Sequence, residues 1–303
     1  MTYNLCAYNH WSQCLRITEN DLELIVTLDA GPRIIRFGFN DEQNEFQEYP
    51  DQALLRNDGK YHSYGGHRLW VAPETEGWTN CPDNNPVEWS DENGALTFTA
   101  PCETSTKLQK QITISSDEHR NRIHILHTIS NCGEKEISLA PWAISVMAPG
   151  GIAIMPQEPF VPHPQRVLPV RPLALWSYTN MQDSRWMWGS RYITLRQNPN
   201  ISTPQKCGAR ISQGWTAYYN DGHLFIKFFH CFADATYPDF GCNAEVFTNE
   251  KMLEVESLGP LIELKPYCSI THEEQWLLLK DIPSFSTEDE LDALLKSIRD
   301  KLM

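Results

Sequence analysis

The stretch GCNAEVFTNEKMLEVESLGPLIELKPYCSITHEEQW, residues 241–276, decides the fold, because it reads as a β-hairpin that gathers three carboxylates on one face. Ala244–Thr248 and residues 252–257 have strand composition, and Asn249, Glu250 and Lys251 between them supply a short polar turn whose Asn tolerates a left-handed conformation. Strand side chains alternate with period two, so Glu245, Glu254 and Glu256 share one side in either of two registers. With Asn249 and Glu250 at the tip, Glu245 faces Glu254; with Glu250 and Lys251 there, it faces Glu256. Like charges opposed across a ladder destabilise it, so the trio requires either open solvent or a use for the site. A solvated outer sheet face and a functional surface both fit that pattern.

Strand patterns continue on both sides of this hairpin. Leu22, Leu24, Val26 and Leu28 alternate with Glu23, Ile25 and Thr27, and Ile123, Ile125, His127 and Ile129 alternate with His124, Leu126 and Thr128. Asn93-Gly94 and Asn220-Asp221-Gly222 each separate two strand-like runs, which predicts tight hairpins and a largely antiparallel sheet. One helix is expected at about 287–302, opened by a capping box of Thr287 and Glu290 and carrying Leu291, Leu294, Leu295 and Ile298 at helical spacing. Six prolines in residues 156–172 deny that segment regular ladder bonding and predict a long, stiffened excursion of the kind that walls or covers a site. With no internal repeat, charge block or low-complexity tract to mark a linker, residues 1–303 read as a single all-β sandwich domain, although the length alone would also allow two domains.

Composition bounds the function. The 41% hydrophobic and 11% aromatic content is enough for a large core, and the formal charge of −14 repels phosphate backbones and anionic lipid, so neither nucleic acid nor a membrane is an expected partner. No apolar run approaches the ~20 residues that span a bilayer, and residues 1–14 lack the basic and apolar regions of a secretion signal, which predicts a cytoplasmic protein. Nine scattered cysteines contain no C-x-x-C pair and are expected as reduced thiols, mostly small buried apolar residues. His124 and His127 are three apart on a strand and point to opposite faces, so no metal is expected there. The chain has no P-loop, dinucleotide fingerprint or G-x-S-x-G elbow, and no cofactor is expected.

Residues 61–86 crowd His62, His67, Arg68, Trp70, Glu74, Glu76 and Trp78 around Gly65-Gly66, a pattern that suits a binding loop. For any one of these residues a structural role, such as Arg68 pairing with a core carboxylate or Trp70 filling the sandwich, is equally consistent. Ten tryptophans beside mixed acids and bases suit carbohydrate, because flat rings cover the apolar faces of sugars while Asp, Glu, Arg and His bind hydroxyls. Two or three of the ten are expected at a ligand.

The segments GPRIIRFGF from Gly31, YGGHRLWVAPE from Tyr64, LAPWAISVMAPGG from Leu139, YPDFGCNAEVFTN from Tyr237 and LEVESLGPLIELKP from Leu253 together resemble a bacterial family of uncharacterised proteins in the galactose mutarotase-like superfamily. That superfamily includes aldose 1-epimerases and hexose-6-phosphate mutarotases. The resemblance, which runs to about Leu279, implies a large, mostly antiparallel β-sandwich with a sugar site in a concave sheet face. It further implies a glutamate general base and a histidine general acid. Val255-Glu256 followed by Leu264-Lys265-Pro266 is similar to the segment that carries the base in the hexose-phosphate branch, which makes Glu256 the candidate base. Crowding among three carboxylates favours proton uptake within the trio, as a base working near neutral pH requires. Trp142 stands where the epimerases place their acid histidine, and an indole cannot supply that proton. His67, His163 and Arg68 are the replacement candidates, with His67 the leading one, and Arg33, Arg68, Trp70, Glu74, Trp142, His163, Glu245 and Glu254 are expected to bind substrate. Two functions follow from this reading: a sugar mutarotase or epimerase using Glu256, or a non-catalytic carbohydrate sensor or accessory module in which Trp142 is part of a stacking wall. The sequence leaves the sugar, its phosphorylation and the oligomeric state open. The acidic trio disfavours phosphorylated sugars unless Arg33, Arg68 and the run Arg185, Arg191 and Arg196 converge on it.

Overall fold

The computed structural model describes residues 1–298 except 57, 118 and 120. Strands, numbered in chain order, form two antiparallel sheets. The 11-stranded sheet runs β1 (Thr2–Tyr8), β2 (Trp11–Glu19), β3 (Leu22–Thr27), β4 (Arg33–Phe39), β5 (Gly66–Ala72), β10 (Ile137–Met147), β19 (Leu253–Leu258), β18 (Ala244–Thr248), β15 (Gln205–Ala209) and β12 (Leu173–Leu175), with β20 (Ile262–Leu264) paired to the start of β10. The 10-stranded sheet runs β13 (Trp186–Trp188), β14 (Tyr192–Arg196), β11 (Ile152–Pro156), β16 (Trp215–Asn220), β17 (His223–Phe229), β21 (Ser269–Leu279), β9 (Arg122–Asn131), β8 (Leu108–Ser116), β7 (Ala95–Thr99) and β6 (Glu88–Glu92).

The period-two rule sorts these strands. Leu253 and Val255 of β19 and Val246 of β18 point between the sheets and join Phe37, Ile125, Phe225, Trp276 and Leu278 in the largest core. Trp276 sits edge-on to Phe37, Phe46 and Phe225, and each such fully buried side chain contributes roughly 1.5–3 kcal/mol or more. Glu254 and Glu256, alternating with these, face away from that core. Both Asn-Gly-type turns close hairpins as expected: Glu92 pairs with Ala95 and Asn220 with His223. The tip residues Asn93, Gly94, Asp221 and Gly222 all adopt positive φ, which matches the right-handed twist of the strands they join.

The C-terminal helix spans Glu288–Ser297 and carries the capping box of Thr287 and Glu290. Leu291, Leu294 and Leu295 pack against Ile154, Ile226 and Leu277 on the outer face of the 10-stranded sheet. The expected extension of this helix to 302 lies outside the described residues. The proline-rich segment leaves β11 at Pro156 and forms no strand until β12. Four of the nine thiols are buried, Cys14, Cys81, Cys207 and Cys242, rather than most of them. Among the described residues no helix is long and apolar enough to cross a membrane.

Candidate functional site on the outer sheet face

The β18–β19 hairpin adopts the register in which Glu245 faces Glu256, with Thr248 opposite Leu253 as the last pair. Its loop is therefore longer than the two-residue tip. Asn249 caps it through its side chain, with Oδ1 accepting from the Lys251 and Met252 N–H groups, and not through a left-handed backbone. Across the sheet the ladders align Arg33, Arg68, Ile144, Glu256, Glu245 and Gly208 as direct neighbours, so all six share one face. Glycine is required at the end of this row: a Cβ on Gly208 would come within 2.8 Å of Cys242 Sγ and crowd Glu245.

The trio is not solvated. Glu245 and Glu256 are fully buried and the Glu254 side chain is 12% exposed, which removes the open-solvent explanation of the like-charge pattern. What holds the acids is cationic. Lys206 of β15 places Nζ 2.8 Å from Glu245 Oε2 and 3.3 Å from Glu256 Oε2. Arg68 donates Nη2–H to Glu254 Oε1 at 3.0 Å and lies over the Trp70 ring at 4.4 Å. Lys206 also lies over two indoles, Trp142 at 4.6 Å and Trp176 at 4.7 Å. Trp142 donates Nε1–H to Glu256 Oε2 at 2.7 Å and meets Trp70 edge-on.

Burial sets the electrostatics first. It drives the Glu245 carboxyl well above the ordinary range against the pull of Lys206, and Glu256 adds to the rise. The Glu254 carboxyl is raised by burial too, with Arg68 opposing and Glu256 reinforcing the shift. Burial opposes the charge of Lys206, but Glu256 and Glu245 outweigh it and the ammonium is held more firmly than usual. Tyr178, in the segment after β12, is pushed up to about 12 by burial, with Lys206 pulling its hydroxyl down and Glu256 pushing it up. Several buried polar atoms remain without hydrogen-bond partners among the described residues: Glu256 Oε1, Glu245 Oε1, and Nε and Nη1 of Arg68, while Glu245 Oε2 has its ion pair with Lys206 and nothing else.

The other expected site residues divide. Arg33 lies on the same face, but its guanidinium is bound to Asp83 at 2.6 Å and to the Ser63 and Gly65 carbonyls. The segment around Gly65-Gly66 is in part strand β5, and Gly66 lets backbone pass backbone, since a Cβ there would meet Ile34 O at 2.3 Å. Glu74 is exposed just beyond β5. His163 is exposed in the proline-rich segment, and no hydrogen bond or ion pair joins it to the trio among the described residues. Arg185 is tied to Asp183 and Arg191 to the acids of the C-terminal helix, and Arg196 sits on β14 of the other sheet. That run does not converge on the trio. Lys206 and Tyr178 carry no motif in the sequence; the only signal for Lys206 is the need of three packed acids for a cation.

His67 is not beside Glu256. It precedes Arg68 on β5 and points to the opposite face, where it is fully buried between the sheets. There His127 Nδ1–H donates to the His272 carbonyl, which leaves His127 Nε2 to accept from His67 Nε2–H at 2.7 Å and His67 Nδ1 to accept from Ser145 at 2.9 Å. Both rings are satisfied as neutral tautomers, and burial, followed by the nearby Lys227 charge, holds His67 well below its ordinary range. The donor atoms of His67, His127 and Glu274 lie within 4.8 Å of one another, a grouping the sequence did not reveal. However, Lys227 Nζ already neutralises Glu274 at 3.0 Å, and Trp276 Nε1–H occupies its other oxygen. The charge a cation would need is taken.

No protein-family model matches the sequence, and no curated protein matches it. Solved structures do match the fold. The chain is similar to a candidate aldose 1-epimerase of Klebsiella pneumoniae (12% identity over 95% of this chain and 83% of that one, TM-score 0.62). It is also similar to a galactose mutarotase-like protein of Lactobacillus casei (10% identity, 88% and 100% of the two chains, TM-score 0.56) and to a galactose mutarotase related enzyme of Lactobacillus acidophilus (8%, 90% and 100%, TM-score 0.56). The fold is the galactose mutarotase-like β-sandwich.

Proposed function

We propose that this protein binds an aldose on the outer face of the 11-stranded sheet and interconverts its anomers, with Glu256 as general base. The observation that carries this reading is Glu256 itself: Oε2 is fixed by Trp142 and Lys206, while Oε1 is buried without a partner. A carboxylate so oriented takes the proton of the anomeric hydroxyl. The bond from C1 to the ring oxygen then breaks, the ring oxygen takes up a proton, C1 rotates, and the ring recloses on its other face.

Trp70, Trp142 and Trp176 supply flat apolar surface, and the unpartnered Nε and Nη1 of Arg68 supply donors for hydroxyls. Sugar enters by displacing the Trp176 ring from Lys206, a contact that costs roughly 0.5–2 kcal/mol to break. The substrate is unphosphorylated, because Arg33 and Arg68 are already committed to carboxylates and the trio repels a phosphate.

Magnetisation-transfer NMR on common aldoses tests this. The wild-type protein accelerates anomer exchange and Glu256→Gln abolishes the acceleration. Sugar binding without acceleration would assign the face to a carbohydrate sensor, and no binding of any aldose would end the proposal.

A further inference from the structure

We propose that Glu245 is the proton donor to the ring oxygen, forming with Glu256 a two-carboxyl acid–base pair; this rests on the anomer-exchange reading above. The two glutamates are direct neighbours in the β18–β19 ladder, a spacing that puts their Cβ atoms about 4.5–5.5 Å apart. Lys206 Nζ touches one oxygen of each. The anomeric hydroxyl oxygen and the ring oxygen are both bonded to C1, so a sugar presenting that edge offers its acidic proton to one carboxyl and its leaving oxygen to the other. No donor on the far side of the ring is needed.

Charge and hydrogen bonding decide which carboxyl carries the proton. Glu245, Glu254 and Glu256 are three carboxyls balanced by only two cations, Lys206 and Arg68, because Arg33 is paired with Asp83. A buried site holds an excess negative charge poorly, so one proton is retained. Glu256 receives the Trp142 N–H and Lys206, and Glu254 receives Arg68. Beyond its ion pair with Lys206, neither oxygen of Glu245 accepts a hydrogen bond. Glu245 is therefore the member least able to stay ionised. The groups facing it are Lys206 of β15, Glu256 of β19, Asp239 of the turn Pro238–Gly241, Tyr178 of the segment after β12 and the thiol of Cys242, while Cys207 lies on the opposite face of β15. Among the described residues no hydrogen bond or ion pair joins a histidine to any of the three glutamates.

The step balances. Glu256 carboxylate takes the O1 proton as C1=O1 forms, the electrons of the broken C1–O bond go to the ring oxygen, and that oxygen takes the Glu245 proton. Reclosure returns each proton to its starting carboxyl. Lys206 stays an ammonium throughout, and because one carboxyl gains a proton as the other loses one, the total charge of the pair stays constant.

Glu245→Gln keeps the shape but cannot give up a proton. Anomer exchange falls by about 10²–10⁴-fold, while aldose affinity measured by NMR titration stays within about threefold. As an independent readout, the wild-type rate, after subtraction of the uncatalysed reaction, falls as alkaline pH removes the acid's proton. If Glu256→Gln is inactive while Glu245→Gln keeps its rate, or if the wild-type rate holds level into alkaline pH, the assignment is overturned. Absence of wild-type acceleration would instead fail the underlying reading.

Discussion

Trp142 Nε1 lies 2.7 Å from Glu256 Oε2, with both residues buried and on neighbouring strands. The indole fills the position that the resemblance gives to an acid histidine, and it serves the glutamate as a fixed donor. Trp142→Phe keeps the ring volume in large part but leaves that oxygen to Lys206 alone. Stability should fall by roughly 1–3 kcal/mol in urea unfolding, with anomer exchange reduced at the same time. A variant as stable as the wild type would show that the hydrogen bond holds nothing in place.

Lys206→Met places Glu245 and Glu256 face to face with no cation between them. Breaking a buried ion pair from one side costs about 3–5 kcal/mol, and protonation of the carboxyls relieves it. The Glu245 carboxyl, already raised by burial and now without the opposing pull of Lys206, has a folded-state pKa above its unfolded one, so the proton-linked stability is present below the unfolded value and is lost as pH rises through the folded value. The deficit of Lys206→Met should therefore be larger at pH 8 than at pH 5 by chemical denaturation. A deficit independent of pH contradicts this.

Phe240 adopts φ 63 and is 92% exposed, directly after Asp239 at φ 50. A bulky L-residue in the left-handed region is strained by roughly 1–2 kcal/mol, and an exposed ring has little packing to offset it. Phe240→Asn, which tolerates this backbone, should raise stability by about 0.5–1 kcal/mol. Thermal unfolding with no rise in Tm would mean that the ring contributes packing of its own.

Glu288 ties the C-terminal helix to the sheet. Burial opposes its charge, yet the Arg191 and Tyr192 N–H groups and the Ser190 hydroxyl hold its carboxyl at about 2. The folded pKa is depressed below the unfolded value of ~4.3, so its contribution is complete above that value and disappears as pH falls through about 2. Glu288→Gln should lower stability by roughly 1 kcal/mol at pH 7, a figure discounted for partial solvent screening, with the gap closing near pH 2. Equal gaps at both pH values would exclude a charge-dependent role.

Much of the architecture is legible in the residues. Period-two alternation in Ile123, Ile125 and Ile129, the turn chemistry of Asn93-Gly94 and Asp221-Gly222, and the Thr287 capping box act over a few residues, and each appears in the structure. The same rule could have separated His67 from Arg68, because adjacent residues on a strand cannot share a face. The depth of the trio was not a local question.

The sequence by itself determined that Glu245, Glu254 and Glu256 lie on one side of a hairpin, since alternation is a property of the backbone. Only the tertiary structure decided that this side is buried, that Lys206 and Arg68 arrive from strands far away in the chain to balance it, and that Trp142 binds Glu256. Partners across a ladder are fixed by long-range register and sheet order, and no short-range pattern in the chain encodes them.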